Sequence, residues 1–289
     1  MVFYMNNLSN FLSIIEVNGL DATKFLQGQL TNDINLLTLP IDNKYHFQYS
    51  AYLNPKGRMQ ATFFVIMVSA NKYYLITTSD IVDLVLAKIK MYVMRSQVTI
   101  SKLTDVHILF GANNANNDNN AYEFDSKTNL NICVQLDQSH RLFILPIGNN
   151  INIGACSTQQ NTQFKYFLIQ NQIPLIYTNT QNEFVPQQVN FDKINGLNFK
   201  KGCYVGQEIV ARLHYLGKSK RSMYIVHSKY EITHGVNIIS PILNGQVVGM
   251  VVDAVYCNDE YIGLVSIQDE CLNELYLDQE YTKRICHAK

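Results

Sequence analysis

The sequence predicts an α+β fold built on antiparallel sheet, with a small β-rich module at its C-terminal end. Three observations predict it: runs of β-branched and aromatic residues recur with short breakers between them, one amphipathic stripe marks a helix, and from Met223 onward the β-rich runs continue with no helical pattern. A chain of 289 residues is about right for two or three modules that share cores, and 47% apolar against 16% charged residues gives those cores ample material.

The elements follow in order. Phe11 to Val17 is apolar and β-branched and passes through Asn18-Gly19 into D-A-T-K-F-L-Q, where Asp21 is placed to cap a short helix. H-F-Q-Y-S-A-Y-L (46–53), the breaker N-P-K-G (54–57), R-M-Q-A-T-F-F-V-I-M-V (58–68) and K-Y-Y-L-I-T-T (72–78) read as a meander of antiparallel strands. Ser79 and Asp80 open an amphipathic helix in which Val82, Val85, Leu86, Ile89 and Val93 form one stripe. V-T-I-S (98–101) and V-H-I-L-F-G (106–111) read as strands, while the Asn-rich 112–121 has almost nothing to bury and is expected as an exposed loop. Strands are expected at 130–136 and 141–147, then a helix from about Ser157 that ends before Pro174. Runs at 223–227, 236–239, 245–256 and 261–267, parted by Gly, Pro and Asn-Asp breakers, point to a small all-β barrel or sandwich. The polar, basic L-G-K-S-K-R-S (216–222) marks the expected boundary between a core of two interleaved α+β modules (1–222) and a C-terminal β domain (223–289).

Charge and composition exclude several classes. With 23 basic against 23 acidic residues no summed field holds a polyanion, so direct tRNA binding is disfavoured. The N-terminus lacks the basic region and apolar core of a secretory signal, and no apolar run reaches the ~18 residues that span a bilayer, so a cytoplasmic protein with no membrane association is expected. Cys133, Cys156, Cys203, Cys257, Cys271 and Cys286 are scattered and include no C-x-x-C pair, which fits free thiols and neither a disulfide framework, a zinc ribbon nor an iron-sulfur cluster. Cys286 and His287 are two potential ligands, too few to close a tetrahedral shell, so no metal site is expected and the tail reads as frayed.

The segment that carries chemistry is Lys201-Gly202-Cys203-Tyr204-Val205-Gly206-Gln207-Glu208, which leads into helical I-V-A-R. Cys203 falls at or just before a helix start, where backbone N–H groups and the charges of Lys200 and Lys201 favour thiolate over thiol. Gly202 and Gly206 permit tight turns and close backbone approach, and Gln207 and Glu208 bring an amide and a carboxylate beside the sulfur. No histidine adjoins Cys203 and His214 is a remote base, so a redox or ligand-contact role suits these residues better than hydrolysis.

K-G-C-Y-V-G-Q-E resembles the signature of the YgfZ family of folate-binding proteins, as do its flanks at 184–200 and 211–221. G-L-D-A-T-K-F-L-Q-G-Q-L-T-N-D (19–33), L-N-P-K-G-R-M (53–59) and K-M-Y-V-M-R-S-Q-V-T-I (90–100) resemble the N-terminal half of that family and of its relative, the aminomethyltransferase of the glycine cleavage system. The resemblance implies a GcvT-like fold, with modules in a ring around a folate pocket and a β-barrel at the C-terminal end. It implies a reduced folate such as tetrahydrofolate as ligand, and an accessory factor that maintains iron-sulfur enzymes, including a tRNA methylthiotransferase, and thereby supports tRNA modification. A folate-dependent aminomethyltransferase is the alternative, and a non-catalytic protein or RNA interaction module a second.

By the same resemblance the folate contacts fall at Phe11 or Leu12, Phe164, Gln170 and Arg212. In F-L-I-Q-N-Q-I-P (167–174) relatives tend to read R-I-E-x-G-x-P, so Leu168, Gln170 and Gln172 stand where arginine, glutamate and glycine are expected. A carboxylate accepts two hydrogen bonds from a pterin edge; Gln170 offers one acceptor and a donor, which weakens that contact. Asp80 and Asp83 lie near the position of the aminomethyltransferase's aspartate, and Lys218, Lys220 and Arg221 form a basic cluster read as a solvated loop, with contact to a polyglutamate tail or to RNA as the alternative.

Overall fold

The computed structural model describes residues 2–41, 44–113, 121–123, 132–147, 161–217 and 219–287. Most of the expected Asn-rich loop, Cys156, the expected helix start near Ser157, and Lys218 lie outside the described residues. The strands are β1 (Val2–Asn7), β2 (Leu12–Asn18), β3 (Lys44–Tyr45), β4 (Phe47–Leu53), β5 (Met59–Ser69), β6 (Lys72–Thr78), β7 (Thr99–Leu103), β8 (Val106–Asn113), β9 (Ala121–Glu123), β10 (Ile132–Gln135), β11 (His140–Pro146), β12 (Arg221–Ser228), β13 (Asn237–Ser240), β14 (Gln246–Cys257), β15 (Glu260–Gln268), β16 (Leu275–Tyr276) and β17 (Arg284–His287). Four α-helices accompany them among the described residues: α1 (Ala22–Gln29), α2 (Val82–Lys90), α3 (Thr162–Gln170) and α4 (Gln207–Leu216). The chain divides into two compact units, Met1–Leu26 with Ile34–Gln48 and Phe63–Phe164, and Gln27–Asp33 with Tyr49–Thr62 and Lys165–Lys289.

One sheet has five strands in the order β4-β5-β6-β2-β7, so the expected meander is present and β2 adds to its edge, antiparallel to both β6 and β7. β5 and β6 are buried along nearly their whole length, which is why their apolar runs are continuous and do not alternate. A second sheet, β3-β10-β11-β8-β1-β9, is antiparallel except for the parallel pair of β10 with β3. Its β1 begins in a short N-terminal run that carries no breaker to announce a strand.

α2 buries Val82, Val85 and Ile89, each contributing roughly 1.5–3 kcal/mol on leaving water. It begins two residues later than Ser79 and Asp80 suggest: Ile81 is the N-cap residue, and the Ser79 hydroxyl instead pairs with that of Ser13 at 2.9 Å. Val93 lies past the helix end, where Lys88 and Lys90 in the last turn complement the dipole.

In the second unit, β12-β15-β14-β13-β16-β17 form a closed barrel, and antiparallel pairing of β17 with β12 completes it. The alternatives left by the sequence resolve to the barrel. Val226, Ile238, Val248, Val251, Val265, Ile267, Leu275 and Ile285 fill its interior. Cys286 and His287 belong to the closing strand and pair with His227 and Val226, so the C-terminal residues expected to fray are part of the barrel wall.

Candidate functional site

The candidate site is a loop supported by two distant stretches of the second unit, 30–32 and 54–57. Gly206 is the N-cap residue of α4, so Cys203 precedes the first helical residue, Gln207, by four positions. Burial alternates along the loop: Lys201 and Tyr204 point inward, 8% and 7% exposed, while Gly202 and Cys203 between them are exposed. The thiol is thus carried outward on two buried anchors.

Lys201 is the first anchor. Its ammonium donates to the carbonyls of Leu30 (2.5 Å) and Asn32 (2.8 Å) and lies 5.1 Å from the centroid of the Tyr204 ring. Burial holds the lysine down to about 8, against a smaller upward pull from the Asp33 carboxylate, and burial pushes the Tyr204 phenol up to about 12. The accepting stretch, Q-L-T-N-D, is itself fixed: the Thr31 hydroxyl donates to the Gly196 carbonyl and accepts from the Ala51 N–H, each at 2.8 Å. The Asn32 amide donates to the carbonyls of Tyr49 (2.8 Å) and Asn195 (2.7 Å).

The turn N-P-K-G meets the other end of the loop. Gly206 has φ +80°, and a Cβ there would lie 2.5 Å from the Asn54 carbonyl oxygen and 2.9 Å from the Gly57 Cα. Gly57 has φ +70° and packs as closely on Ile209 of α4. Gly202 is different: a Cβ there meets nothing within 4 Å, so only one of the two glycines in the motif serves close approach. Asn54 donates to the Asn182 side chain at 2.8 Å, and the Arg58 guanidinium donates to the Asn182 and Glu183 carbonyls, which ties the turn to the segment before Phe184.

Of the remaining residues expected at the site, Gln207 is half-buried and Glu208 and Arg212 are exposed on α4. Gln170 is exposed at the end of α3. Its neighbours have local tasks. Gln172 is left-handed, with φ 51°, and donates to the Ile169 carbonyl, while Ile173 donates to that of Leu168. This pair of bonds is a Schellman cap, closed by the buried side chains of Leu168 and Ile173. A glycine at Gln172 and an apolar residue at Leu168 are what such a cap favours, independent of any ligand.

In the first unit, Leu12 and Phe164 are fully buried and Phe11 is half-buried. Phe164 is enclosed by Phe11 (centroids 6.3 Å), Phe64 (6.3 Å) and Phe110 (5.1 Å), so its ring backs Phe11 within an aromatic cluster. Asp83 is spent on an exposed ion pair with Lys102 at 3.1 Å. Two groups escaped the sequence reading: the side-chain oxygens of Gln29 and Gln187 in the second unit are buried with no partner among the described residues, an arrangement that costs about 1–3 kcal/mol apiece. Both sit in the segments 19–33 and 184–200 that carry the family resemblance, which was the signal available. Among the described residues no cluster of His, Cys, Asp or Glu suits a metal ion, Cys133, Cys203, Cys257, Cys271 and Cys286 are free, and no helix is long and apolar enough to cross a membrane.

Comparison with known proteins places these observations. The chain is 32% identical over 224 residues to an uncharacterized protein of Haemophilus influenzae, covering 75% of this chain and 73% of that one. It is 30% identical over 229 residues to the tRNA-modifying protein YgfZ of Vibrio atlanticus, covering 77% and 69%. Its structure is similar to that of the glycine cleavage system aminomethyltransferase T from Bartonella henselae, with a TM-score of 0.65 and 12% identity over 98% of this chain and 84% of the other, a likeness of fold alone. No family model matches the chain. The architecture is the GcvT-like one that the motifs imply: mixed α+β, antiparallel sheets and a closed six-stranded barrel.

Proposed function

The chain belongs to the YgfZ family, and from that membership we propose that it supports tRNA modification as a folate-binding accessory factor for iron-sulfur enzymes, a tRNA methylthiotransferase among them, with Cys203 as its working thiol. The observation that carries the reading is the loop: an exposed Cys203 held between the buried Lys201 and Tyr204, with the Lys201 ammonium fixed behind it. In this reading Lys201 sets the loop's position through the Leu30 and Asn32 carbonyls, and Cys203 is the thiol that the loop presents to solvent. A client's cluster or sulfur species is the partner of that thiol.

In this reading the ligand is a reduced folate, for which candidate contacts stand in each unit taken separately. In the first unit Phe11 offers a half-buried ring backed by Phe164. In the second unit the unpartnered Gln29 and Gln187 oxygens would accept from N–H donors of a ligand, and Gln170 and Arg212 are exposed polar candidates. When bound, the folate supplies one-carbon or redox chemistry; the chain's own part is to orient it and to present Cys203.

The test is a calorimetric titration with tetrahydrofolate of the wild type, Phe11→Ala and Gln170→Glu, paired with measurement of methylthiolated tRNA in a deletion strain. Binding that weakens about tenfold in Phe11→Ala and tightens in Gln170→Glu supports the reading, as does loss of methylthiolation with Cys203→Ala. No binding of any reduced folate together with full rescue by Cys203→Ala sinks it. The likeness to the aminomethyltransferase motivates a second reading, one-carbon transfer, for which the assay is methylene-tetrahydrofolate formation from an aminomethyl donor.

A further inference from the structure

α4 and the segments flanking it carry a local surface that the neutral net charge conceals. Between Lys193 and Arg221 there are seven Lys or Arg residues (193, 200, 201, 212, 218, 220 and 221) and one acid, Glu208. Lys201 is buried, but Lys200, Arg212 and Lys220 are exposed and Arg221 is half-exposed, and none of these four is ion-paired among the described residues. The same stretch of sequence carries three aromatic rings that meet. Phe199 stacks face to face on His214, with centroids 3.7 Å apart and planes 11° from parallel. Tyr215 meets both edge-on, at 6.3 Å from Phe199 and 4.7 Å from His214. Tyr215 is nonetheless 65% exposed and Leu216 83% exposed.

A solvated helix end has no need to expose a tyrosine and a leucine beside a ready-made ring stack. Exposed rings interleaved with unpaired cations are the chemistry that holds single-stranded nucleic acid, the rings taking unstacked bases and the cations the phosphates. An acidic protein would use the cations and leave the rings idle. We propose that the Phe199-His214-Tyr215 cluster, with Lys200, Arg212, Lys220 and Arg221, is a docking surface for single-stranded RNA, such as an unpaired loop of tRNA. The proposal rests on the tRNA-modification reading above and adds a direct RNA contact to it. It departs from the expectation that direct tRNA binding is disfavoured, which rested on the neutral charge of the whole chain.

The test is fluorescence anisotropy of the full chain with a labelled single-stranded RNA and an RNA duplex of equal length, over a salt series. Four cations predict a log–log salt slope of about −3 for the single strand. Tyr215→Ala is expected to weaken single-strand binding at least about fivefold, and Arg212→Ala to reduce the slope by about 0.7, while Lys90→Ala on α2 changes neither. Equal affinity for duplex, insensitivity to Tyr215→Ala, or tighter binding of polyglutamate than of RNA at the same salt overturns the proposal, the last marking an acid-binding surface. Tyr215 is exposed, so its loss leaves the fold in place; Lys200→Ala is the second probe of the same surface. Folate binding and tRNA methylthiolation separate the two readings: absent RNA binding with both of those intact rejects this inference alone, and RNA binding with both of those absent rejects the folate reading alone.

Discussion

The Lys201 ammonium lies 5.1 Å from the centre of the Tyr204 ring, and the two side chains are the buried feet of a loop whose exposed crest is Gly202-Cys203. Cation and ring support each other in a place where neither ionises in its ordinary range. The lysine is held down to about 8 from 10.5 and the phenol pushed up to about 12 from 10.0, both chiefly by burial.

The two shifts act oppositely on stability. Between pH 8 and 10.5 the unfolded chain holds the lysine proton more tightly than the folded one, so stability rises with pH as the cost of the buried charge fades. Between pH 10 and 12 the folded state holds the phenolic proton more tightly, so stability present below pH 10 is lost. Burial pushes other groups upward as well, among them Cys133 and Cys271, so the measurement is a difference. Urea midpoints of the wild type relative to Lys201→Met should climb from pH 8 to 10. A flat difference would mean that the lysine is not buried as described.

The two glycines of the motif should behave unlike each other. Gly206→Ala forces a side chain into a left-handed residue and onto the Asn54 carbonyl and Gly57, and is expected to cost roughly 2–4 kcal/mol. Gly202→Ala meets open space and should change stability by less than about 0.5 kcal/mol. Chemical denaturation of the two variants decides it, and equal effects would contradict the contact between the 54–57 turn and α4.

Much of this was legible in the sequence because it depends on local pattern. The meander of β4, β5 and β6, the α2 stripe and the four main barrel strands announce themselves through β-branched runs and breakers, and K-G-C-Y-V-G-Q-E marks the loop. The short strands β3, β9, β16 and β17 are invisible because two to four residues carry no periodicity and are strands only through their neighbours. The same holds for the support of the loop: nothing in the local sequence says that Lys201 reaches 171 positions back to Leu30, or that Gly206 needs Gly57. Leu168 and Gln172, which the resemblance sets in a ligand segment, also occupy a helix cap, a task that the local sequence does not announce.

That cap gives a further prediction. Gln172→Gly relieves a left-handed residue at the end of α3 and should raise stability by about 0.5–1 kcal/mol. Leu168→Ala removes a fully buried side chain from the same cap and should cost about 2–5 kcal/mol. Thermal unfolding of the pair, with tetrahydrofolate binding as the second readout, separates a structural position from a ligand contact: Gln172→Gly should leave the affinity unchanged.

The buried charges of the second unit set the last prediction. Lys165 of α3 meets Asp253 of β14 at 2.7 Å, and the other carboxylate oxygen accepts from the Tyr177 hydroxyl at 2.8 Å, beside the irregularity in β14 between Val251 and Asp253 that re-aims the strand. Tyr177 is held in turn by His234, stacked 4.0 Å away. Asp253 has no solvent exposure, so Asp253→Ala strands an ammonium and a phenol and should cost about 3–5 kcal/mol. Replacing both charges, Lys165→Met with Asp253→Leu, removes the stranded ion and should recover most of that loss. A double variant as unstable as Asp253→Ala alone would show that the carboxylate matters through Tyr177 and the bulge, and not through the lysine; measured in a double-mutant cycle, the coupling energy apportions the two.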